Sequence, residues 1–350
     1  MNIKQSATAA FFNAGRFSGA NAISRYLQKQ KLLVLCYHGV VAKEILHESY
    51  LDNEEAYLHR NAISLSKFRA QMQLIAKCFH PITAQDLVNW MDGNSSLPDY
   101  PVLVTFDDGF QNNADYAVPV LRQFGIPALF NLPTEYIGQV RVLWPMEVDQ
   151  IVLSWRHKTI PMPEGNGDVG VSMRRNDRFL LAEKIRSRCK RLPNEARNAY
   201  LDQVRSVAAL DRSAFDRDLV DFMDWPQVRK LAHEGFDIGS HSVTHPILSK
   251  LTDDELRQEL TESKKTIERE LNQPCRWITY PNGQPSDFSP RVAEMAAAMG
   301  YELGFTLVEK FVVPDSRRFE IGRFNVTADT SLARFESIIS GVYSLFKSER

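Results

Sequence analysis

The run Val102-Leu103-Val104-Thr105-Phe106-Asp107-Asp108-Gly109 is apolar and partly β-branched, and it ends in two adjacent carboxylates and a glycine. Successive side chains of a strand point to opposite faces, so neighbouring aspartates on a regular strand cannot share one task. Gly109 supplies the sharp exit that brings both carboxylates to one pocket mouth. Standing alone, Asp-Asp-Gly is an ordinary turn signal. A second stretch, Gly239-Ser240-His241-Ser242-Val243-Thr244-His245-Pro246, changes its meaning. Two histidines four residues apart, on one helical turn or in a tight loop, can aim two imidazoles at one point. Imidazole suits zinc and its first-row neighbours, a carboxylate is a common third ligand, and three protein ligands leave a position open for water. The plainer reading, a surface histidine pair beside a Pro turn, gives way once carboxylates stand at another strand end.

Around these motifs, short apolar runs alternate with helical patterns. Strands are predicted at Leu32–Tyr37, Pro101–Phe106, Ala128–Leu132, Phe236–Ser240, Arg276–Tyr280, Glu302–Thr306 and Phe319–Val326. Helices are predicted at Ser66–Cys78, Thr83–Met91, Ala114–Phe124, Trp225–His233 and Thr252–Leu271, and another runs from Ser289-Pro290 to Gly300. Thr83 is a candidate N-cap, Thr252 with Glu255 forms a capping-box pattern, and Gly235 and Gly300 close their helices. This alternation argues for parallel βαβ units. About seven strands suggest a barrel rather than an open sheet, and barrel strands gather their C-terminal ends on one active face. The alternation is interrupted from about residue 140 to 224. Pro161–Gly170 reads as a loop, and Asn176–Arg191 and Asn194–Leu210 read as charged helices. Between Arg174 and Arg191 there are eight basic residues and two acidic ones. Such a run is ordinarily a solvated face; beside an active site it is also a lid or a platform for an anionic substrate.

Bulk properties narrow the class. The chain has 350 residues, 44% hydrophobic and 24% charged, with a formal net charge of -1. These are the values of a globular protein with no global attraction to nucleic acid. No apolar run approaches the ~20 residues of a membrane span. The cysteines, Cys36, Cys78, Cys189 and Cys275, suggest no disulfide framework. No secretory h-region is legible, which places the chain in the cytoplasm as an expectation. The first 43 residues contain six basic residues and no acidic one, interspersed with aromatic and aliphatic side chains. Residues 1–31 therefore read as a basic amphipathic arm, either packed across the barrel bottom or resting on an anionic membrane.

Thr105-Phe106-Asp107-Asp108-Gly109 and His241-Ser242-Val243-Thr244-His245, in that order, resemble the first two motifs of the polysaccharide deacetylases, carbohydrate esterase family four. The resemblance covers roughly Leu32 to Val326. It implies a distorted (β/α)7 barrel over 32–350 with a helical insertion at about 140–224. It also implies a divalent metal, most aptly Zn2+, held by Asp108, His241 and His245, with Asp107 as catalytic base. The third motif is partly present as Tyr280-Pro281-Asn282-Gly283. Pro281 has no N–H, so Asn282 is the better oxyanion donor, with Tyr280 beside it. Two departures stand out. Thr279 occupies the place of an arginine that tethers the base, and Arg323 is the candidate to reach in from a late strand. No histidine follows His245 to serve as general acid. Tyr37-His38, at the end of the first strand, resembles the early motif of the exopolysaccharide deacetylase branch, which makes His38 the candidate acid.

The expected activity is hydrolysis of N-acetyl groups on a poly- or oligosaccharide or glycan precursor, in exopolysaccharide or cell-envelope glycan biosynthesis. O-acetyl ester cleavage and deformylation of a lipid-linked sugar share the same site logic. An alternative of another class is a non-catalytic glycan-binding or assembly protein. The expected partners are a carbohydrate and, peripherally, an anionic membrane or lipid-linked glycan at its inner face.

Overall fold

A computed structural model describes residues 20–44, 54–165, 167–208 and 216–345. Twelve strands lie among them: β1 (Leu33–Tyr37), β2 (Gly39–Val41), β3 (Ala62–Ser64), β4 (His80–Pro81), β5 (Pro101–Phe106), β6 (Ala128–Leu132), β7 (Thr159–Pro161), β8 (Asp168–Gly170), β9 (Asp237–Ser240), β10 (Trp277–Thr279), β11 (Leu303–Phe305) and β12 (Phe324–Asn325). Every residue of β1, β5 and β6 is buried. Continuous apolar runs of this kind are what a parallel sheet covered on both faces requires.

Seven strands follow one another around the sheet in the order β12-β1-β5-β6-β9-β10-β11, all pairings parallel, with β4 beside β5. The ring closes weakly. One parallel bridge, Phe305 to Ile321, joins the β11 edge to the segment leading into β12. The fold is thus a distorted (β/α)7 barrel, as expected. The last strand is shorter than the predicted Phe319–Val326, because only Phe324 and Asn325 hold ladder register with β1. The preceding residues turn away to make the seam.

Helices fill the connections, and their starts follow side-chain caps. Thr83, Asp224 and Thr252 each form a reciprocal capping box, and Ser289 accepts from Val292 N–H. The helix predicted from Ala114 begins instead with a π-helical turn, Asn113–Ala117, before α-helix Val118–Phe124.

The interrupting segment builds an apolar cluster of its own. Trp144, Val148, Ile151, Phe179, Ile185 and Leu201 are buried together, with Tyr57 and Ile247 contributed from outside the segment. Its long helices are Trp144–Ser154, Arg175–Cys189 and Asn194–Ala208, followed by the short Arg217–Val220. The first of these is absent from the sequence reading. The stretch expected as a loop, Pro161–Gly170, includes the last residue of β7 and all of β8, which pair as an antiparallel hairpin.

Of the expected N-terminal arm, residues 1–19 lie outside the described residues. Helix Ala20–Leu27 packs against Leu332–Ile339 and Val342–Leu345 and leaves Ile23, Tyr26 and Leu27 largely exposed. No helix among the described residues is long and apolar enough to cross a membrane.

Candidate active site

β5 ends at Phe106, and the chain leaves it through two consecutive left-handed residues, Asp108 (φ 72°) and Gly109 (φ 67°). The exit is therefore made by Asp108 itself as well as by the glycine. A Cβ at Gly109 would also meet Leu132 and Ile137 at 3.0 Å. The turn sends Asp107 and Asp108 to different partners within one cavity. Ser242, His245 and Asn282 also have positive φ, at 66°, 57° and 61°. Non-glycine residues in this region cost roughly 1–3 kcal/mol each and persist where surrounding structure imposes them. Four of the six such residues among those described lie at the three motifs.

His241 and His245 sit in a tight loop rather than on a helix. Glu259, on helix Asp253–Leu271, accepts from Val243 N–H (2.7 Å), Thr244 N–H (3.0 Å) and the Thr244 hydroxyl (2.6 Å). This clamp fixes the loop. The Nε2 atoms of His241 and His245 lie 3.5 and 3.4 Å from Asp108 Oδ1. His241 Nδ1 faces the Thr279 carbonyl at 2.8 Å. A proton on Nδ1 leaves the Nε2 lone pair free, as metal ligation needs. Burial pulls the His241 pKa down to about 4, so the ring is neutral near pH 7. Asp108 Oδ1 is buried and has no hydrogen-bond partner among the described residues. An unsatisfied carboxylate oxygen facing two imidazole nitrogens fits a cation. Asp108, His241 and His245 thus have the donor types and spacing of a divalent-metal site.

Asp107 has a different environment. It is buried, and Arg323, fully buried, reaches it from just before β12: Nη1 donates to Oδ1 (2.8 Å) and Nη2 to Oδ2 (2.7 Å). Asn131 Nδ2 donates to Oδ1 at 2.9 Å, and Cys36 Sγ lies 3.4 Å from Oδ2. Arg323 is held in turn by the Thr306 carbonyl and the Thr105 hydroxyl. Burial opposes ionisation of Asp107, but the Arg323 charge outweighs it and holds the carboxyl well below its usual range. Gly239 makes room for this arrangement, because a Cβ there would stand 2.5 Å from Asn131 Oδ1. Nothing in the one-dimensional pattern singles out Asn131, Cys36 or Glu259.

His38 follows β1 directly, is half-buried, and lines the cavity with a buried Nδ1 that has no hydrogen-bond partner among the described residues. One of its ring nitrogens, the Cys36 sulfur and an Asp107 oxygen lie within 4.8 Å of one another. Asn282 lines the same cavity. Its backbone N–H and its Nδ2 have no acceptor among the described residues. Tyr280 is placed differently from the other candidates. Its ring stacks on Phe288, its hydroxyl donates to the Phe319 carbonyl (3.1 Å), and its N–H donates to the Phe305 carbonyl. It packs in the core and has no donor left for a ligand.

Residues 179–304 match the family model described as polysaccharide deacetylase, a span that includes the histidine motif but not the aspartate pair. Among solved structures, Streptococcus pyogenes deacetylase PplD in complex with acetate is similar over 89% of this chain and 99% of its own, with 16% identity and a TM-score of 0.58. IcaB from Ammonifex degensii is similar over 89% and 97%, with 20% identity and a TM-score of 0.56. A de-N-acetylase from Aggregatibacter actinomycetemcomitans is similar over 88% and 99%, with 17% identity and a TM-score of 0.54. The chain spans 40% and 21% of two curated Bacillus subtilis relatives, at 27% and 33% identity. The barrel is that of the deacetylase structures, and residues 179–304 are similar to the polysaccharide deacetylase family.

Proposed function

We propose that this chain is a metal-dependent hydrolase that removes N-acetyl groups from a saccharide or glycan precursor. The observation that carries the proposal is the buried, unsatisfied Asp108 Oδ1 facing two imidazole nitrogens, with the Asp107–Arg323 pair in the same cavity. Asp108, His241 and His245 would hold a divalent cation, zinc being the best match to that donor set, and when bound it would supply an activated water and polarise an acyl carbonyl. Asp107, kept ionised by Arg323, accepts the proton of the attacking water. His38 delivers a proton to the leaving nitrogen, a task suited to imidazole near neutral pH. Asn282 donates to the developing oxyanion. Fold likeness to a de-N-acetylase favours an amide over an ester. The test is acetate release from an N-acetylated oligosaccharide, before and after chelation and after zinc is restored. Release that stops on chelation and returns with zinc supports the proposal. Formate release from an N-formyl analogue alone, or acetate release only from an O-acetyl sugar, replaces the substrate; glycan binding without any release moves the chain to the non-catalytic class.

The proposal extends to a cytoplasmic setting against an anionic membrane, where a lipid-linked glycan is met. Its support is helix Ala20–Leu27, whose Ile23, Tyr26 and Leu27 are 66–69% exposed beside an acid-free N-terminal sequence. Co-sedimentation with anionic vesicles at low salt, weakening as salt rises, is the expected result; no binding to such vesicles removes this extension.

A further inference from the structure

The cavity holding the Asp108–His241–His245 cluster has a second wall that the chemistry above leaves unused. Arg60, Asp149, Arg186 and Lys190 line it. Asp149 comes from helix Trp144–Ser154, Arg186 from helix Arg175–Cys189, and Lys190 from that helix's C-cap. Asp149 is 1% exposed, receives Arg60 Nη2 at 2.5 Å and the Tyr57 hydroxyl at 2.9 Å, and forms an ion pair with Arg186, whose Nε lies 2.8 Å away without a hydrogen bond. The Arg60 guanidinium also lies over the Tyr57 ring, 4.4 Å from its centroid. Two guanidiniums are therefore fixed in place around one buried carboxylate, and Arg186 also has the more distant Glu183 at 3.8 Å.

Lys190 adds a third cation. Its ammonium makes no hydrogen bond or ion pair with any described residue. Burial lowers its pKa, an effect opposed by Asp287 and Asp149. Both carboxylates are committed elsewhere: Asp149 to the arginines, and Asp287 to Gln284 N–H and the Ser286 hydroxyl. Asp216, at the same wall, caps a helical turn and faces His59. An ammonium with no ion-pair partner among the described residues, beside two fixed guanidiniums in one cavity, suits an anionic ligand. The arginines also stand at a junction. Arg60, Asn61, Arg186 and Asn325 line both this cavity, of about 260 Å³, and a neighbouring one of about 330 Å³. A glycan that presents one sugar at the aspartates and histidines can run past them.

We infer that Arg60, Arg186 and Lys190 form an anion subsite for a phosphate or carboxylate borne by the glycan, so that the substrate is an anionic rather than a neutral saccharide. The link to deacetylation rests on the function proposed above; the binding of the anion does not. The test uses the full-length protein and three saccharides of equal length: a neutral N-acetylglucosamine oligomer, the same oligomer ending in a 1-phosphate, and one alternating uronic acid with N-acetylglucosamine. Binding is read by calorimetry and acetate release in parallel. At least one anionic saccharide binds about tenfold or more tighter than the neutral one, and the advantage shrinks with salt. Lys190→Met loses that advantage and Lys190→Arg keeps it. The anionic saccharide that gains identifies the source of the charge. Equal affinity for all three, or an advantage that survives in Lys190→Met, overturns the subsite. Anion-dependent binding with no acetate released from any saccharide keeps the subsite and retires the deacetylase reading; acetate release without charge preference does the reverse.

Discussion

Asp107 and Asp108 are adjacent in sequence and differ in almost every physical respect. Asp108 has an oxygen that nothing in the described protein satisfies, whereas Asp107 is surrounded by donors. A carboxylate has about four lone-pair positions, and Arg323, Asn131 and Cys36 fill them. The weakest of these donors is the Cys36 thiol at 3.4 Å, so Oδ2 is the oxygen a proton reaches most readily. Asp107→Asn is the substitution that isolates this role, because it keeps the shape and removes the proton acceptor while leaving the Asp108–His241–His245 cluster unchanged. That one carboxylate faces the histidines was legible in the sequence, whereas which of the two does so was implied by the family resemblance. The tether was legible only as a candidate: Arg323 is 216 residues from Asp107, and only the seam brings them together. The cost of the left-handed backbone at Asp108 had no sequence signal, because Asp tolerates that region more readily than most residues.

At the scale of elements, helix starts were the most legible features, because caps are local chemistry. Thr83 and Thr252 accept the expected backbone N–H, and Ser289 accepts one at the start of its helix. The β7–β8 hairpin was not legible, since Pro and Gly mark a turn without naming the strands it joins. One cap is contributed across the fold. Asp237, at the start of β9, accepts from Ala84 N–H at 2.8 Å, at the first turn of helix Ala84–Met91. Burial raises its pKa to about 6, against the usual carboxylate value near 4. The folded state therefore holds this proton more tightly than the unfolded chain does. Stability from this group is fully present below pH ~4 and is lost as pH rises through about 6. Asp237→Asn keeps an acceptor for Ala84 and removes the ionisation. It is expected to raise stability at pH 7.5 by about 2 kcal/mol relative to the parent, with the difference closing near pH 4. Paired thermal or urea melts at the two pH values check this; equal shifts at both would show that the aspartate is not protonated in the fold.

The whole molecule sets the site by closing a ring. Parallel strands from β1 to β12 place Asp107, the histidine loop and Asn282 at their C-terminal ends, and the weak β11–Ile321 seam lets Arg323 enter from the last strand. Alternating patterns made the parallel βαβ units legible and the inserted basic run legible as a candidate platform, but which of its side chains line the cavity was not. Its helices carry a basic run that reads as solvated surface, and only packing shows that Arg186 and Lys190 turn inward. Its apolar cluster also recruits Tyr57, which bonds to Asp149 and stacks with Arg60, so the insertion and the barrel share one polar wall. The measurement that bears most directly on the proposed chemistry is acetate release by Asp107→Asn at a metal content matched to the parent. Removing a proton-transfer group costs about 10²–10⁴ in rate. A fall of that size with metal still bound is the expected result, and release at the parent rate would contradict the assignment of Asp107 as the base.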